Sequence, residues 1–185
     1  MSKLLNKLGI IILVFLLHSP CFAEFSIDYA ETSLIDGVYV LDAELNFNLT
    51  EVAIDALQNG VSLPLVLTVV VKRNRWYLWN KKITTIKKAY ELKYYALSRQ
   101  YSLKNLATNN KENFPNLYAA IDYLGKIEKL PLLKQYVLTD SIDKYWVYLQ
   151  IHLDIESLPV PLRPIAHLSS QWRLSSSWYS CHLQP

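Results

Sequence analysis

The chain has 185 residues, 51% of them hydrophobic, with 19 basic against 16 acidic side chains and a net charge of +3. That is enough apolar material for one domain with a buried core. Its 4 glycines lie far apart, which excludes the Gly-rich phosphate loops of nucleotide enzymes, and there is no Gly-x-Ser-x-Gly elbow, paired-cysteine motif or His-Glu-x-x-His metal motif.

Residues 1–23 have the order of a secretory signal. Lys3 and Lys7 come first, Leu8 to Leu17 is an apolar run, His18-Ser19-Pro20 breaks it, and Cys21 and Ala23 supply small residues for cleavage before Glu24. The run is about half the ~20 residues that a bilayer-spanning helix needs. The expectation is an exported protein cleaved after Ala23, with a single mature domain over 24–185. Pro20 and His18 ahead of Cys21 fit a lipid-attachment box poorly. Cleavage would remove Lys3, Lys7 and Cys21, leaving a net charge of +1 and Cys181 as the sole thiol, so no internal disulfide could form.

Phe25, Ile27 and Tyr29 alternate with polar residues, as on a half-buried strand. Asp36-Gly37 signals a tight hairpin turn, because glycine accepts positive φ. Tyr39, Leu41, Ala43, Leu45 and Phe47 continue as a second strand, with Val38, Asp42, Glu44 and Asn46 facing water. Thr50 fits a helix N-cap, Val52, Ala53, Ala56 and Leu57 the buried stripe, and Gly60 the stop. Asn48-Leu49-Thr50 is formally a glycosylation sequon, but capping explains Thr50 more simply.

Leu63 to Val71 is almost wholly apolar and β-branched, the pattern of a strand covered on both faces. A long basic strand over about Lys82 to Ala96 and another over Tyr101 to Leu106 follow. Thr108 to Asn113 reads as a polar loop. Pro115 fits the first turn of a second helix burying Leu117, Ala120, Ile121 and Leu124 and ending at Gly125. Lys144 to Asp154 is the cleanest strand, with Tyr145, Val147, Leu149, Ile151 and Leu153 on one face. Pro159, Pro161 and Pro164 argue against an interior strand or a regular helix in the next segment. Trp172 to Tyr179 would close the sheet, with Trp172, Leu174 and Trp178 in its core face. These elements predict an all-β antiparallel β-sandwich with two short α-helices.

Lys72 to Lys104 concentrates ten basic residues and one acid, Glu91, so this segment carries +9 and the rest of the mature chain −8. Trp76, Tyr77, Trp79, Tyr90, Tyr94, Tyr95 and Tyr101 lie among the charges. In a cytosolic protein this would read as nucleic-acid binding. Export redirects it to an anionic envelope partner: a lipid headgroup, a glycan or an acidic protein face. Strand lysines also serve to block edge-to-edge pairing, and the acidic remainder has the charge to fold against the basic segment and cancel its field. Trp76 and Trp79 are three apart, so either they face opposite sides of a strand or both sit in a turn. Arg73 and Arg75 share parity and suit a fork around a carboxylate or phosphate, or a structural salt bridge.

Signals for chemistry are few. His152 and Asp154 share strand parity and, with His167, would be the ligands of a metal site, although a solvated strand face explains them as well. Ser175, Ser176 or Ser177 with His167 and Asp154 have no triad spacing.

Three segments in order carry a family likeness: Arg73-Asn74-Arg75-Trp76-Tyr77-Leu78-Trp79-Asn80, Tyr94-Tyr95-Ala96-Leu97-Ser98-Arg99-Gln100-Tyr101, and Leu158-Pro159 through Trp172-Arg173-Leu174-Ser175-Ser176-Ser177-Trp178-Tyr179. With the signal-like start, the chain resembles the bacterial family called domain of unknown function 4390. The resemblance implies a small exported protein of a Gram-negative bacterium, a periplasmic address and no assigned activity. Genes of the family can lie near a sensor-kinase gene, which points toward envelope signalling. The resemblance supplies no catalytic residue, cofactor or metal, and it ends at Tyr179, leaving Cys181 and His182 outside the pattern.

The reading that follows is a non-enzymatic periplasmic module binding an envelope component or an envelope-signalling protein, with no cofactor, no nucleic-acid partner and no transmembrane helix in its mature part. Arg73, Arg75, Trp76, Trp79, Tyr95, Arg99 and Tyr101 are its candidate binding residues. A metal-dependent or hydrolytic envelope enzyme using His152, Asp154 and His167 is the alternative, and a structural envelope assembly factor a third.

Overall fold

The computed structural model describes residues 25–77, 79–139 and 141–184; the expected signal segment lies outside them. Among the described residues the strands are β1 Phe25–Ile35, β2 Val38–Phe47, β3 Leu63–Arg73, β4 Lys81–Tyr95, β5 Gln100–Asn105, β6 Lys111–Phe114, β7 Lys126–Lys134, β8 Tyr145–Leu153 and β9 Tyr179–His182. The α-helices are α1 Glu51–Gln58, α2 Leu117–Gly125 and α3 Arg163–Leu168. The strands form two antiparallel sheets, β1-β2-β7 and β6-β5-β4-β3-β8-β9, which pack on one shared core. The fold is all-β and sandwich-like.

The first hairpin forms for the reason its sequence gives. Ile35 pairs with Val38 across a two-residue turn in which Asp36 (φ 49°) and Gly37 (φ 74°) are both left-handed, as a type I′ turn requires. Every alternate residue of β2 from Tyr39 to Phe47 is buried. In β1 the alternation breaks, because a bulge between Ile27 and Tyr29 inserts Asp28 and flips the parity. Ala30 and Thr32 then face the core, and Tyr29, expected to be half-buried, is turned outward.

The centre of the large sheet is β3, bonded to β4 on one side and β8 on the other. Leu63, Leu65, Leu67, Val69 and Val71 are completely buried, and Tyr145, Val147, Leu149, Ile151 and Leu153 of β8 continue the same layer. In α1, Thr50 caps the helix by accepting from the Ala53 N–H at 3.1 Å. Its hydroxyl also donates to the Gln171 carbonyl at 3.0 Å, tying the helix to the C-terminal segment. Ala53 and Leu57 are buried and Ile54 packs beside them, whereas Val52, expected in the stripe, is exposed.

Four further differences from the sequence reading have physical causes. Residues 111–113, expected in a loop, pair with β5 as the short polar edge strand β6. β7 was not expected, because it follows α2 without a linker, contains Pro131 and is bulged at Lys129 (φ 47°). As the edge of the small sheet it tolerates both. The proline-crowded segment does contain a helix, since Pro164 falls in the first turn of α3, where its missing N–H is not needed. The closing strand is broken: Leu174 to Ser176 bonds to Ile151 and Leu153, then Tyr179 to His182 pairs with Trp146 to Leu149. Trp172 and Leu174 are buried, but the break turns Trp178 outward, 52% exposed.

The small sheet is too narrow for the large one. At about 4.8 Å per strand, three strands span roughly 14 Å and six roughly 29 Å. β1 lies against β8 and β9, and β7 against β4. The inner face of β5 and β6 is left to α2, which is wedged against β2, β5, β6 and β7. Its seating depends on Gly125, where an added Cβ would lie 2.5 Å from the Leu45 carbonyl oxygen. Gly125→Ala should therefore destabilise the fold by about 1–3 kcal/mol, measured as a lowered urea midpoint. An unchanged midpoint would show that α2 can shift away from β2 without loss.

Candidate functional site

The basic segment folds into the end of β3, all of β4 and all of β5. Register fixes which way each charge points. Lys72, Lys82, Lys87, Lys93 and Lys104 lie on the outward face of the large sheet, and Lys111 of β6 joins them. Tyr95 and Tyr148 share that face. Lys72 stands 4.5 Å over the Tyr148 ring and Lys111 stands 4.4 Å over the Tyr95 ring, both in cation–π range. Among the described residues none of Lys82, Lys87, Lys93 and Lys104 is ion-paired with an acid.

Glu91 is the one acid among these lysines, directly opposite Lys104 in the register. Glu31, Asp42 and Glu44 occupy the outward face of β1 and β2. There the Tyr29 hydroxyl, hydrogen-bonded to Glu31 and close to Asp42 and Glu44, is pushed up to about 12. The two outer surfaces therefore differ in predominant sign, although Glu91 faces Lys104 on the basic sheet and Lys126 and Lys134 share the outward face of the small one.

The candidate binding residues fall into two groups at opposite ends of β4, about 45 Å apart at ~3.3 Å per residue. At one end, Asn74 to Asn80 link β3 to β4. Asn74 N–H donates to the Lys144 carbonyl at 2.7 Å and Arg73 Nη1 donates to Thr139 Oγ1 at 2.9 Å, so the base of this hairpin is pinned to the segment before β8. Beyond the base, Trp76 (93% exposed), Tyr77 (67%) and Trp79 (96%) project into solvent. Trp76 and Tyr77 meet edge to face at 4.9 Å. Both tryptophans thus sit in a turn, one of the two arrangements their spacing allows. Arg75 is half-buried behind them, with its Nε enclosed and without a hydrogen-bond partner among the described residues. Lys72 pairs directly with Lys82, and Arg73 with Lys81. The base is therefore dense in cations, with Lys72 over the Tyr148 ring and Arg73 held by Thr139.

At the other end, Ala96 to Arg99 connect Tyr95 to Gln100, with Arg99 left-handed (φ 52°). Tyr95 and Arg99 are exposed. Tyr101 is directed inward, with its ring 4.8 Å from that of Tyr94 and packed against the core. The structure therefore gathers Arg75, Trp76 and Trp79, uses Arg73 as a clamp and Tyr101 as packing, and leaves Tyr95 and Arg99 distant.

The residues of the enzyme alternative do not converge. His167 Nε2 pairs with Glu156 Oε1 at 2.8 Å, and Asp154 accepts from Glu156 N–H and from Ser157 Oγ. Among the described residues no three His, Cys, Asp or Glu side chains are placed to hold one metal ion. Ser176 Oγ is buried and accepts from the Ile151 N–H at 3.0 Å, a structural use. No helix among the described residues is long and apolar enough to cross a membrane.

Sequence reasoning missed a cleft of about 790 Å³ between α2, the start of β7 and the inner face of β5 and β6. The sequence did carry a signal for it. Tyr118 and Asp122 are four apart on α2, off its buried stripe, and Tyr118 and Tyr123 are exposed aromatics on a short helix.

The chain is thus an antiparallel β-sandwich with an exposed aromatic hairpin tip and a largely basic outer sheet. The family model described as Domain of unknown function (DUF4390) matches residues 23–182, and the chain belongs to that family. The match runs through Cys181 and His182, which corrects the expectation that the family pattern ends at Tyr179. No curated protein and no solved structure matches the chain.

Two titrations follow from this geometry. Burial lowers the His152 pKa below 6.5, with Asp154 opposing and Lys87 adding to the shift. The unfolded chain then binds the proton more readily. Stability should be full above about pH 6.5, fall as pH drops toward the lower folded value and level off beneath it. His152→Gln should flatten that part of the urea-midpoint profile; an equally steep profile would assign the effect elsewhere. Burial also pushes the Cys181 thiol up to about 11. Maleimide should label it slowly at pH 8 and quickly in urea, and equal rates would contradict this packing.

Proposed function

We propose that the protein is an exported, non-enzymatic binding module that works in the periplasm and docks on an anionic envelope surface through the β3–β4 hairpin. The observation that carries this reading is the near-complete exposure of Trp76 and Trp79 at the tip of a hairpin whose base is cationic. Indole and phenol rings favour the boundary between water and lipid headgroups, where an apolar ring and a polar handle are both satisfied. Arg75 in the same connection and Lys81 and Lys82 at the start of β4 supply cations within a few residues of the rings. The signal-like order of residues 1–23 supports the address. Membership of the family adds no activity that would compete with a binding role.

Each basic side chain near an anionic surface contributes about 1 kcal/mol. The purified 24–185 chain should cosediment with vesicles containing anionic phospholipid and not with purely zwitterionic ones, with a blue shift in tryptophan emission. Replacing Arg75, Lys81 and Lys82 by glutamine should weaken binding on the order of 100-fold, and Trp76→Ala with Trp79→Ala should abolish the shift. Folded variants that bind like the parent chain would refute the membrane-docking reading. Capture of an acidic envelope protein without vesicle binding would replace the lipid with a protein surface.

A further inference from the structure

The width mismatch between the sheets leaves the cleft described above open, and its chemistry is opposite to that of the hairpin. Its volume of about 790 Å³ falls in the range of small-molecule and side-chain sites. The floor is apolar, from Leu103, Leu124 and Ile127. Phe114 and Tyr123 line one wall with ring centroids 5.1 Å apart and tilted by 45°. Tyr118 adds a third, largely exposed ring.

Three carboxylates and one ammonium line the cleft: Glu112, Asp122, Glu128 and Lys126. Asp122 and Lys126 pair at 2.7 Å, one helical turn apart, and neutralise each other. Glu112 and Glu128 remain, without a hydrogen-bond or ion-pair partner among the described residues. The cleft is therefore an aromatic pocket with two carboxylates on its rim that no cation among the described residues pairs with directly; Glu128 also borders a neighbouring hollow lined by Lys88 and Lys129, whereas Glu112 does not. Aromatic faces and carboxylates together favour a cation that carries an apolar stem.

We infer that this cleft binds an organic cation, an ammonium or guanidinium group on an apolar stem, with Phe114, Tyr118 and Tyr123 against the stem and Glu112 and Glu128 against the charge. Such a group occurs on free polyamines and on the lysine or arginine side chains of a peptide. The cleft is distinct from the hairpin tip: Tyr90, which lines it, lies nine residues along β4 from Lys81, about 30 Å away.

Calorimetric titration of the 24–185 chain with spermidine, and separately with a short alternating Arg-Val peptide, tests this and separates the two sources. At least one probe should bind below about 1 mM, a modest affinity of the kind expected for partly exposed groups. Glu112→Gln with Glu128→Gln should weaken it roughly tenfold or more, and Tyr118→Ala should weaken it with no change in urea midpoint. Glu31→Gln with Glu44→Gln, on the acidic outer face of the small sheet, should leave it unchanged. The inference falls if neither probe binds in that range, if the Glu112 and Glu128 variant binds like the parent, or if only the Glu31 and Glu44 variant loses binding. Binding of a neutral oligosaccharide without either cation would also overturn it. Vesicle binding through the hairpin is unaffected by any of these results.

Discussion

Two sheets of unequal width share one apolar core, and most of what is particular to this protein follows from that constraint. Three strands can shield only about half of a six-stranded face at ~4.8 Å spacing. The strands beneath the small sheet become the driest part of the molecule, which is why the inward residues of β3 and β8 are apolar throughout; the outward Thr68 and Val70 of β3 are also buried, in the centre of the sheet between β4 and β8. The uncovered strands need another lid, and α2 supplies a partial one. Its close approach to β2 at Gly125 fixes how far that lid can lean over β5 and β6, and the space it does not fill is the cleft.

The sandwich also separates charge. A strand sends alternate residues to opposite faces, so the core claims one set and the other must meet water. In β1 and β2 the outward set includes Glu31, Asp42 and Glu44; in β3, β4 and β5 it includes Lys72, Lys82, Lys87, Lys93 and Lys104. The acidic strands therefore do not fold onto the basic ones. They lie back to back through the core, and the basic face keeps most of its field toward solvent, with Glu91 opposite Lys104 the acid within it.

The length of β4 decides how the candidate binding residues act. A 15-residue strand holds its two turns far apart, so the Arg-Trp hairpin and the Tyr95–Arg99 turn cannot grip one small ligand. The base of the hairpin is pinned by Arg73 and Asn74 while its rings are unsupported by protein. A pinned base holds the rings at a fixed place relative to the basic sheet. The cleft lies on the inner side of the same sheet, with carboxylates on its rim.

Elements whose signal is local were legible in the chain. The Asp36-Gly37 turn needs only its own backbone freedom, the Thr50 cap only the next three residues, and the β8 face only its two-residue period. The all-β class, the central place of Leu63 to Val71 and the burial of α2 on Ala120 and Leu124 follow from the same local patterns. Features set by partners distant in sequence were not legible. The bulge that exposes Tyr29, the pairing that makes strands of β6 and β7, and the break that exposes Trp178 each depend on register with another strand. So do the separation of Trp79 from Tyr95 and the clamp on Arg73. The sequence by itself determined which residues are apolar, where the chain turns and that its charge is segregated. Only the tertiary structure decided which charges share a surface, which rings meet water and that a cleft exists, because those depend on which strands pair and on how much of one sheet the other can cover.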